Sequence, residues 1–356
     1  MYFKKIISCA AALCLTVGAV SVNVHAAETE PSVSAASAVL YCADSGEVLY
    51  QKDMHTQRPI ASITKIMTAI LGLEYARGND CAVTVTRDMY AEGSSMYLKE
   101  GEVITLTELV KGMMMVSGND AANAIALTVG GSMEGFADLM NKKAAALGMK
   151  DTHFVTPSGL DDEEHYSSAY DMALLCAYAM DNEDFAAIVS QKSINVSFIE
   201  PEGKTTLCSN HNRLLSMYED CIGIKTGFTK TAGRTLTSCA DRDGVRLIVV
   251  TLNDGNDWED HCNLFDYGFS VVEKRQLITT DYSFEIPLVG GERNTVTVSP
   301  DCDLTAILSE NQSVQRKVYL PYFVYAPVRK GQKIGSVVFE SGGKIIAQCN
   351  LIANSV

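Results

Sequence analysis

Histidine is scarce in this chain, and the arrangements that would use it for catalysis are missing. Only six occur in 356 residues. No G-x-S-x-G turn and no H-E-x-x-H helix is present, so neither a serine–histidine–aspartate hydrolase nor a zinc peptidase finds support. His165 and His211 read as loop residues rather than ligands. The eleven cysteines include no C-x-x-C pair, which argues against a zinc site. After the first 26 residues no apolar run approaches the roughly 20 residues needed to span a bilayer. Basic residues number 29 against 43 acids, a net charge of −14. That balance argues against nucleic acid as a partner and disfavours adhesion to anionic lipid. Low-complexity segments and fixed-period repeats are also absent.

The N-terminus reads as an export leader. Lys4 and Lys5 precede an apolar stretch from Ile6 to Val20, and Val24-His25-Ala26 carries small residues where a signal peptidase reads them. A lipoprotein signal is the weaker alternative: Cys9 comes too early, and Cys14 follows Leu13 rather than a small residue. Loss of residues 1–26 removes Lys4 and Lys5 and takes the charge from −14 to −16. Nine cysteines remain, an odd number that leaves at least one unpaired within the chain. Several lie in apolar runs such as Leu174-Leu175-Cys176-Ala177, where cysteine behaves as a small core residue.

Periodicity divides the rest in two. Ala38–Tyr41 and Val48–Tyr50 flank the turn Asp44-Ser45-Gly46 and predict a hairpin. Helical spacing follows at 62–77, at 105–116 with Thr105 and Glu108 as a capping box, at 120–129, 132–147 and 168–180. Strand patterns return at 222–225, 234–240 and 245–252. Strands at both ends of a segment with helices between predict one mixed sheet, its first hairpin pairing with its last strands. From about Val271 the runs are short and strand-like, which predicts a small all-β domain. The expected organisation is a leader over 1–26, an α/β domain over 33–270 and a β-rich domain over 271–356.

Three short strings carry chemistry. Ser62-Ile63-Thr64-Lys65 would put a hydroxyl and an amine one helical turn apart. A serine hydroxyl is a weak nucleophile and needs a base within reach, and a lysine serves only if its pKa is lowered. Burial does that, and so does a second cation, for which Lys225 is the candidate. Ser117-Gly118-Asn119 breaks an otherwise continuous helix pattern and would present two polar side chains on one side. Lys225-Thr226-Gly227 ends a strand and runs into Phe228-Thr229, giving a cation and hydroxyls suited to a carboxylate. Each has a bland reading: Ser62 as a helix cap, Asn119 or Asp120 as a cap, 225–227 as an ordinary strand end. S-x-x-K also recurs at Ser341 and Lys344, but in a Gly-Gly turn where the two would not share a helical face. The three strings in order, each in suitable context, favour an activated serine that attacks an amide.

With Leu147-Gly148-Met149 and Pro157-Ser158-Gly159-Leu160 added, the chain resembles the low-molecular-mass penicillin-binding proteins, serine-type D-alanyl-D-alanine carboxypeptidases. The resemblance implies a transpeptidase-like α/β domain followed by a β-rich domain, with no metal or cofactor. It implies Ser62 as nucleophile, Lys65 as its base, and Ser117 and Asn119 as proton relay and substrate contact. Lys225 with Thr226, Gly227 and Thr229 would meet the substrate carboxylate, and the N–H groups of Ser62 and Phe228 would form the oxyanion hole. The implied substrates are peptidoglycan stem peptides in the cell-wall space, with β-lactams as covalent inhibitors.

Rival readings separate on sequence. Class A β-lactamases deacylate with a glutamate in E-x-x-x-N, a pattern absent between Asn119 and Lys225. A D,D-endopeptidase would use the same residues and stays open. An inactive peptidoglycan- or penicillin-sensing module would not need all three strings intact. No basic residue follows Lys344, so a C-terminal in-plane membrane anchor is not expected.

Overall fold

The computed structural model describes residues 30–78, 80–309 and 312–355; the expected leader lies outside them. The chain opens with the hairpin β1 (Ser37–Cys42) and β2 (Glu47–Lys52). A 3₁₀ turn over Ala61–Thr64 leads into α1 (Lys65–Ala76). Two short strands, β3 (Ala82–Thr84) and β4 (Val103–Thr105), pair ahead of α2 (Leu106–Val116), α3 (Asn119–Gly130) and α4 (Met133–Ala146). Then come α5 (Ala169–Met180), α6 (Glu183–Val189), the hairpin β5 (Ser193–Ser197) and β6 (Thr205–Ser209), and the single turn α7 (Leu214–Met217). Three long strands follow, β7 (Cys221–Thr229), β8 (Gly233–Arg242) and β9 (Val245–Leu252), and then α8 (Asp257–Val271).

The five-stranded sheet has the order β2-β1-β9-β8-β7, antiparallel throughout. As expected, the first hairpin pairs with the last strand, Ser37 opposite Leu252 and Cys42 opposite Leu247. All six residues of β1 are buried, because both faces of the sheet are covered. Val39, Tyr41, Ile248 and Val250 face a core built with α1, α2, α3 and α5. Ala38, Leu40, Cys42, Leu247 and Val249 face a second core under α8, with Leu264 and Phe265. Strands buried on both faces read as continuous apolar runs rather than alternations, which is why Val245–Leu252 stands out in the sequence. Six of the nine cysteines are buried, among them Cys176 and Cys239.

Helices α6 and α8 are among the elements that were not expected. Helix α8 has a thin apolar stripe and a polar residue, His261, within its buried face. That ring is fully buried between Ser238 Oγ (2.5 Å) and Thr251 Oγ1 (3.0 Å) and so fixes the helix to the sheet. Burial pushes its pKa down to about 3. Helix α6 is too short for periodicity to reveal.

The second unit comprises β10 (Val272–Ile278), β11 (Phe284–Val289), β12 (Thr295–Pro300), β13 (Leu304–Ser309), β14 (Gln315–Tyr319), β15 (Val324–Tyr325), β16 (Lys333–Ser341) and β17 (Lys344–Ser355). Six of them form a sheet ordered β14-β16-β17-β12-β11-β15 around a separate core that includes Val298, Val337 and Leu351. Ser341 and Lys344 face each other across the β16–β17 turn, not along a helix. Among the described residues no helix is long and apolar enough to cross a membrane.

One buried carboxylate ties the helical layer together beside the three strings. Asp120, in the first turn of α3, accepts from Ser95 Oγ (2.7 Å) and from the N–H groups of Met96 (2.9 Å), Leu98 (3.1 Å) and Ala121 (2.9 Å). It thereby holds the loop before β4 against the helix start. Asp120→Ala leaves these donors without an acceptor, and each stranded buried donor costs about 1–3 kcal/mol. The expected outcome is a loss of about 3 kcal/mol or more in the unfolding transition of the α/β unit, read by denaturant titration.

Candidate active site

Ser62 does not cap a helix. It lies inside the 3₁₀ turn that precedes α1, and the N-cap of α1 is Thr64, which makes no side-chain capping bond. The tighter turn still places Lys65 three residues on and on the same side. Lys65 Nζ lies 2.9 Å from Ser62 Oγ, 2.7 Å from Asn119 Oδ1 and 2.7 Å from the carbonyl oxygen of Ser158. Two of those partners can only accept. A neutral amine therefore spends its two N–H bonds on Asn119 and Ser158 and turns its lone pair to the Ser62 hydroxyl.

The amine is poised to be neutral. Lys65 is fully buried, and burial first, then the charge of Lys225, hold its pKa well below the ordinary lysine value. Lys225 is also buried; its Nζ donates to the carbonyl of Thr226 (2.9 Å), and burial alone pushes its pKa down to about 7.

Ser117 takes the left-handed conformation (φ +60°, ψ +32°) at the end of α2, while Gly118 does not. The glycine serves packing instead: a Cβ there would come within 2.8 Å of Asp120 Oδ1 and 3.0 Å of the Met96 nitrogen. Asn119 opens α3, and its Nδ2 donates to the carbonyl of Glu92 (2.6 Å), which fixes Oδ1 toward Lys65. The capping box expected for α2 is half made: Thr105 accepts from the Glu108 N–H (3.3 Å), but the Glu108 carboxylate turns to Lys111 and to the Ser197 N–H.

Strand β7 is an edge strand, and Gly227 on it lies directly against the serine turn. A Cβ at Gly227 would sit 2.9 Å from the Ser62 nitrogen. A cleft of about 400 Å³ wraps this edge, lined by Ser62, Ser94, Ser117 and Thr226 with Phe228 and Arg234. Lys65, Asn119 and Lys225 lie buried. Thr229 is placed apart from them: its hydroxyl donates to Asp161 Oδ1 (2.7 Å) and accepts from the Ala232 N–H.

The family profile described as D-alanyl-D-alanine carboxypeptidase matches residues 24–256, and that of the penicillin-binding protein 5 C-terminal domain matches 273–355. The chain belongs to the D-alanyl-D-alanine carboxypeptidase family. It is similar to D-alanyl-D-alanine carboxypeptidase DacF of Bacillus subtilis (32% identity, 91% of this chain and 86% of the relative). It is also similar to D-alanyl-D-alanine carboxypeptidase DacC of Escherichia coli (34%, 90% and 84%). Among solved structures, penicillin-binding protein 5 from Haemophilus influenzae superposes with a TM-score of 0.69 at 30% identity, covering 92% of this chain and 98% of that one.

Against that family frame, several contributors escaped the sequence reading. Ser158 acts through its backbone carbonyl, which no side-chain motif reveals. Gly159 follows with φ +79°, and a Cβ there would meet the Ala61 carbonyl oxygen at 1.9 Å. Ala61 itself holds φ +50° just before Ser62, a conformation that costs about 1–3 kcal/mol off glycine and must be held by its surroundings. His165, read as a plain loop residue, supplies part of that hold. Its Nδ1 accepts from the N–H groups of Val155 (3.0 Å) and Thr156 (3.2 Å), so Nε2 carries the proton and donates to Thr64 Oγ1 (2.8 Å). The Thr64 hydroxyl in turn donates to the Ala61 carbonyl (2.8 Å). Burial lowers the His165 pKa to about 4, which keeps the ring neutral. His211, also read as a loop residue, lines the cleft, as do Asp257 and Trp258. Arg234 bonds Asp257 through Nε (3.0 Å) and Nη2 (2.6 Å) and lies 5.5 Å from the Trp258 ring. Pairing β7 with β8 from sequence would have put Arg234 opposite Phe228, as observed.

Replacing Lys225 by methionine keeps most of its volume but removes the neighbouring charge. The Lys65 pKa is expected to rise, read by carbon NMR of lysine labelled at Cε. An unchanged Lys65 titration would show that burial alone sets it.

Proposed function

We propose that the chain is a serine-type D-alanyl-D-alanine carboxypeptidase that removes the terminal D-alanine of peptidoglycan stem peptides through an acyl-enzyme on Ser62. The observation that carries this reading is the Lys65 amine, buried, 2.9 Å from Ser62 Oγ and committed elsewhere to two obligate acceptors. In the first step the Ser62 oxygen bonds to the carbonyl carbon of the penultimate D-alanine, and its proton passes to Lys65. The amide bond breaks, the proton reaches the leaving amine by way of Ser117, and D-alanine departs. Water then attacks the ester, and Ser62 recovers its proton. The N–H groups of Ser62 and Phe228 receive the charge that develops on the carbonyl oxygen, each donor of this kind being worth about 3 kcal/mol in general.

Asn119 holds Lys65 in place and offers its amide to the substrate. Lys225 lies too deep to reach far into the cleft; it contributes positive potential beneath the terminal carboxylate and depresses the Lys65 pKa. Thr226 offers a hydroxyl at the cleft wall, and Thr229 joins it by exchanging Asp161 for the carboxylate. We take residues 33–270 as the catalytic domain and 271–356 as the β-rich domain. Residues 1–26 are taken as an export leader that delivers the enzyme to the cell-wall space. The absence of a glutamate in E-x-x-x-N supports slow release of penicillin, hence binding rather than destruction.

Incubation with penicillin should add the mass of one drug molecule to the protein in intact-mass spectrometry, and Ser62→Ala should abolish the adduct. An adduct that survives in the alanine variant would remove Ser62 from the mechanism.

The carboxylate role predicts substrate choice. A peptide ending in D-Ala-D-Ala should release D-alanine, and its C-terminal amide should react about a hundredfold more slowly, the equivalent of losing about 2–3 kcal/mol of charge-assisted contact. Equal rates on acid and amide would instead favour cleavage of internal D,D bonds.

A further inference from the structure

The strongest unassigned feature lies in the second unit, far along the sequence from Ser62. Residues 318–325 expose apolar and aromatic side chains in close succession: Val318 (37%), Tyr319 (55%), Tyr322 (97%), Phe323 (45%) and Tyr325 (69%). They sit where the chain leaves β14 and reaches β15, the two outer strands of the six-stranded sheet. Only residues 320–323 make that crossing, so the two edges lie within about 18 Å of each other and the sheet is curled. The aromatic segment is therefore the closing strap of that curl, and it faces outward.

The charge around it is opposite to that of the whole molecule. The chain carries a net −14, yet between Glu310 and Glu340 it has five cations and no acid. Lys317 pairs with Glu340 (2.5 Å). Arg329, Lys330 and Lys333 are exposed and, among the described residues, form no ion pair. They lie at the same end of the sheet as the aromatic strap. Tyr319 pairs with Ser336, a Cβ at Gly335 would meet the Tyr319 carbonyl oxygen at 2.2 Å, and the turn 329–332 leads directly into β16. The neighbouring turn between β11 and β12 adds Glu292 and Arg293, which cancel.

We propose that this strap is a docking surface for an anionic phospholipid bilayer. Tyrosine and phenylalanine favour the headgroup level, where the ring is in an apolar setting and the hydroxyl stays wet. Unpaired lysine and arginine beside them bind lipid phosphates while their stems lie along apolar surface. A surface of this polarity also orients the molecule, because the acidic remainder is pushed away from the membrane. Net charge alone argued against anionic lipid; the average conceals a local reversal of sign. The contact is peripheral, uses no terminal helix, and does not depend on the catalytic assignment.

Co-sedimentation with lipid vesicles tests it, using the chain from Ala27 onward, which keeps every described residue and removes the apolar segment near the start. Vesicles containing phosphatidylglycerol should pull the protein down, pure phosphatidylcholine vesicles should not, and high salt should weaken binding. Tyr322→Ser with Phe323→Ser, and separately Lys330→Glu with Lys333→Glu, should each reduce the bound fraction about fivefold or more. Penicillin acylation should be unchanged in both, which shows that the catalytic unit is intact. Equal binding to neutral and anionic vesicles, or no binding to either, overturns the proposal on the unaltered chain whether or not a variant folds. So does a strap that mediates self-association in sedimentation analysis while lipid binding survives its substitution.

Discussion

Two lysine side chains are buried side by side, and the rest of the site follows from what that costs. An ammonium group taken out of water loses solvation that only ideal partners replace, so a buried lysine tends to release its proton instead. Lys65 and Lys225 both face that penalty, and the charge of Lys225 adds to it at Lys65. The fold answers this by holding the Lys65 pKa well below the ordinary lysine value and giving the amine the two acceptors of Asn119 and Ser158. The remaining lone pair has one neighbour, the Ser62 hydroxyl. The proposed base thus owes its character to burial and hydrogen-bond arithmetic, without histidine.

The supports around that amine come from distant parts of the chain. Asn119 is oriented by Glu92, and Ser158 lies in the 156–160 turn that Gly159 allows to press against Ala61. The Thr64 hydroxyl braces the Ala61 carbonyl and is itself held by His165. The 3₁₀ turn carrying Ser62 is therefore held between β7 and the loop before α5. A left-handed alanine survives there only because its surroundings over-determine it. The energetic burden of the site is carried by neutral hydrogen bonds and packing rather than by exposed ion pairs, which contribute little.

Much of this was legible in the sequence. The hairpin at 38–50 and the five long helices announce themselves by spacing and clear stop signals, and the strand at 245–252 by its continuous apolar run. The geometry of the candidate site was legible where it depends on side chains in fixed spacing, as for Ser62 with Lys65. It was not legible where the backbone acts, as with the Ser158 carbonyl, or where a polar residue hides in an apolar face, as His261 does in α8. The reversed roles at 117–118 show the same limit. Glycine is the residue suited to the left-handed backbone conformation, but Ser117 adopts it, and Gly118 is needed for the space that Asp120 and Met96 fill. Spacing tells which residues share a turn, and only three-dimensional crowding tells which one is bent.

The sheet order carries a consequence for the way the molecule comes into being. Strand β1 sits between β2 and β9, so its outer edge finds a partner only when residues 247–252 exist. Loops of this length close slowly, because chain entropy is lost before the contacts form. During synthesis, and during any threading across a membrane, the first hairpin and helices α1 to α6 must persist with an unpaired strand edge and an open core. Such intermediates are prone to aggregate. The serine turn rests on β7, which also comes late, so that side of its support is complete only near the end of assembly.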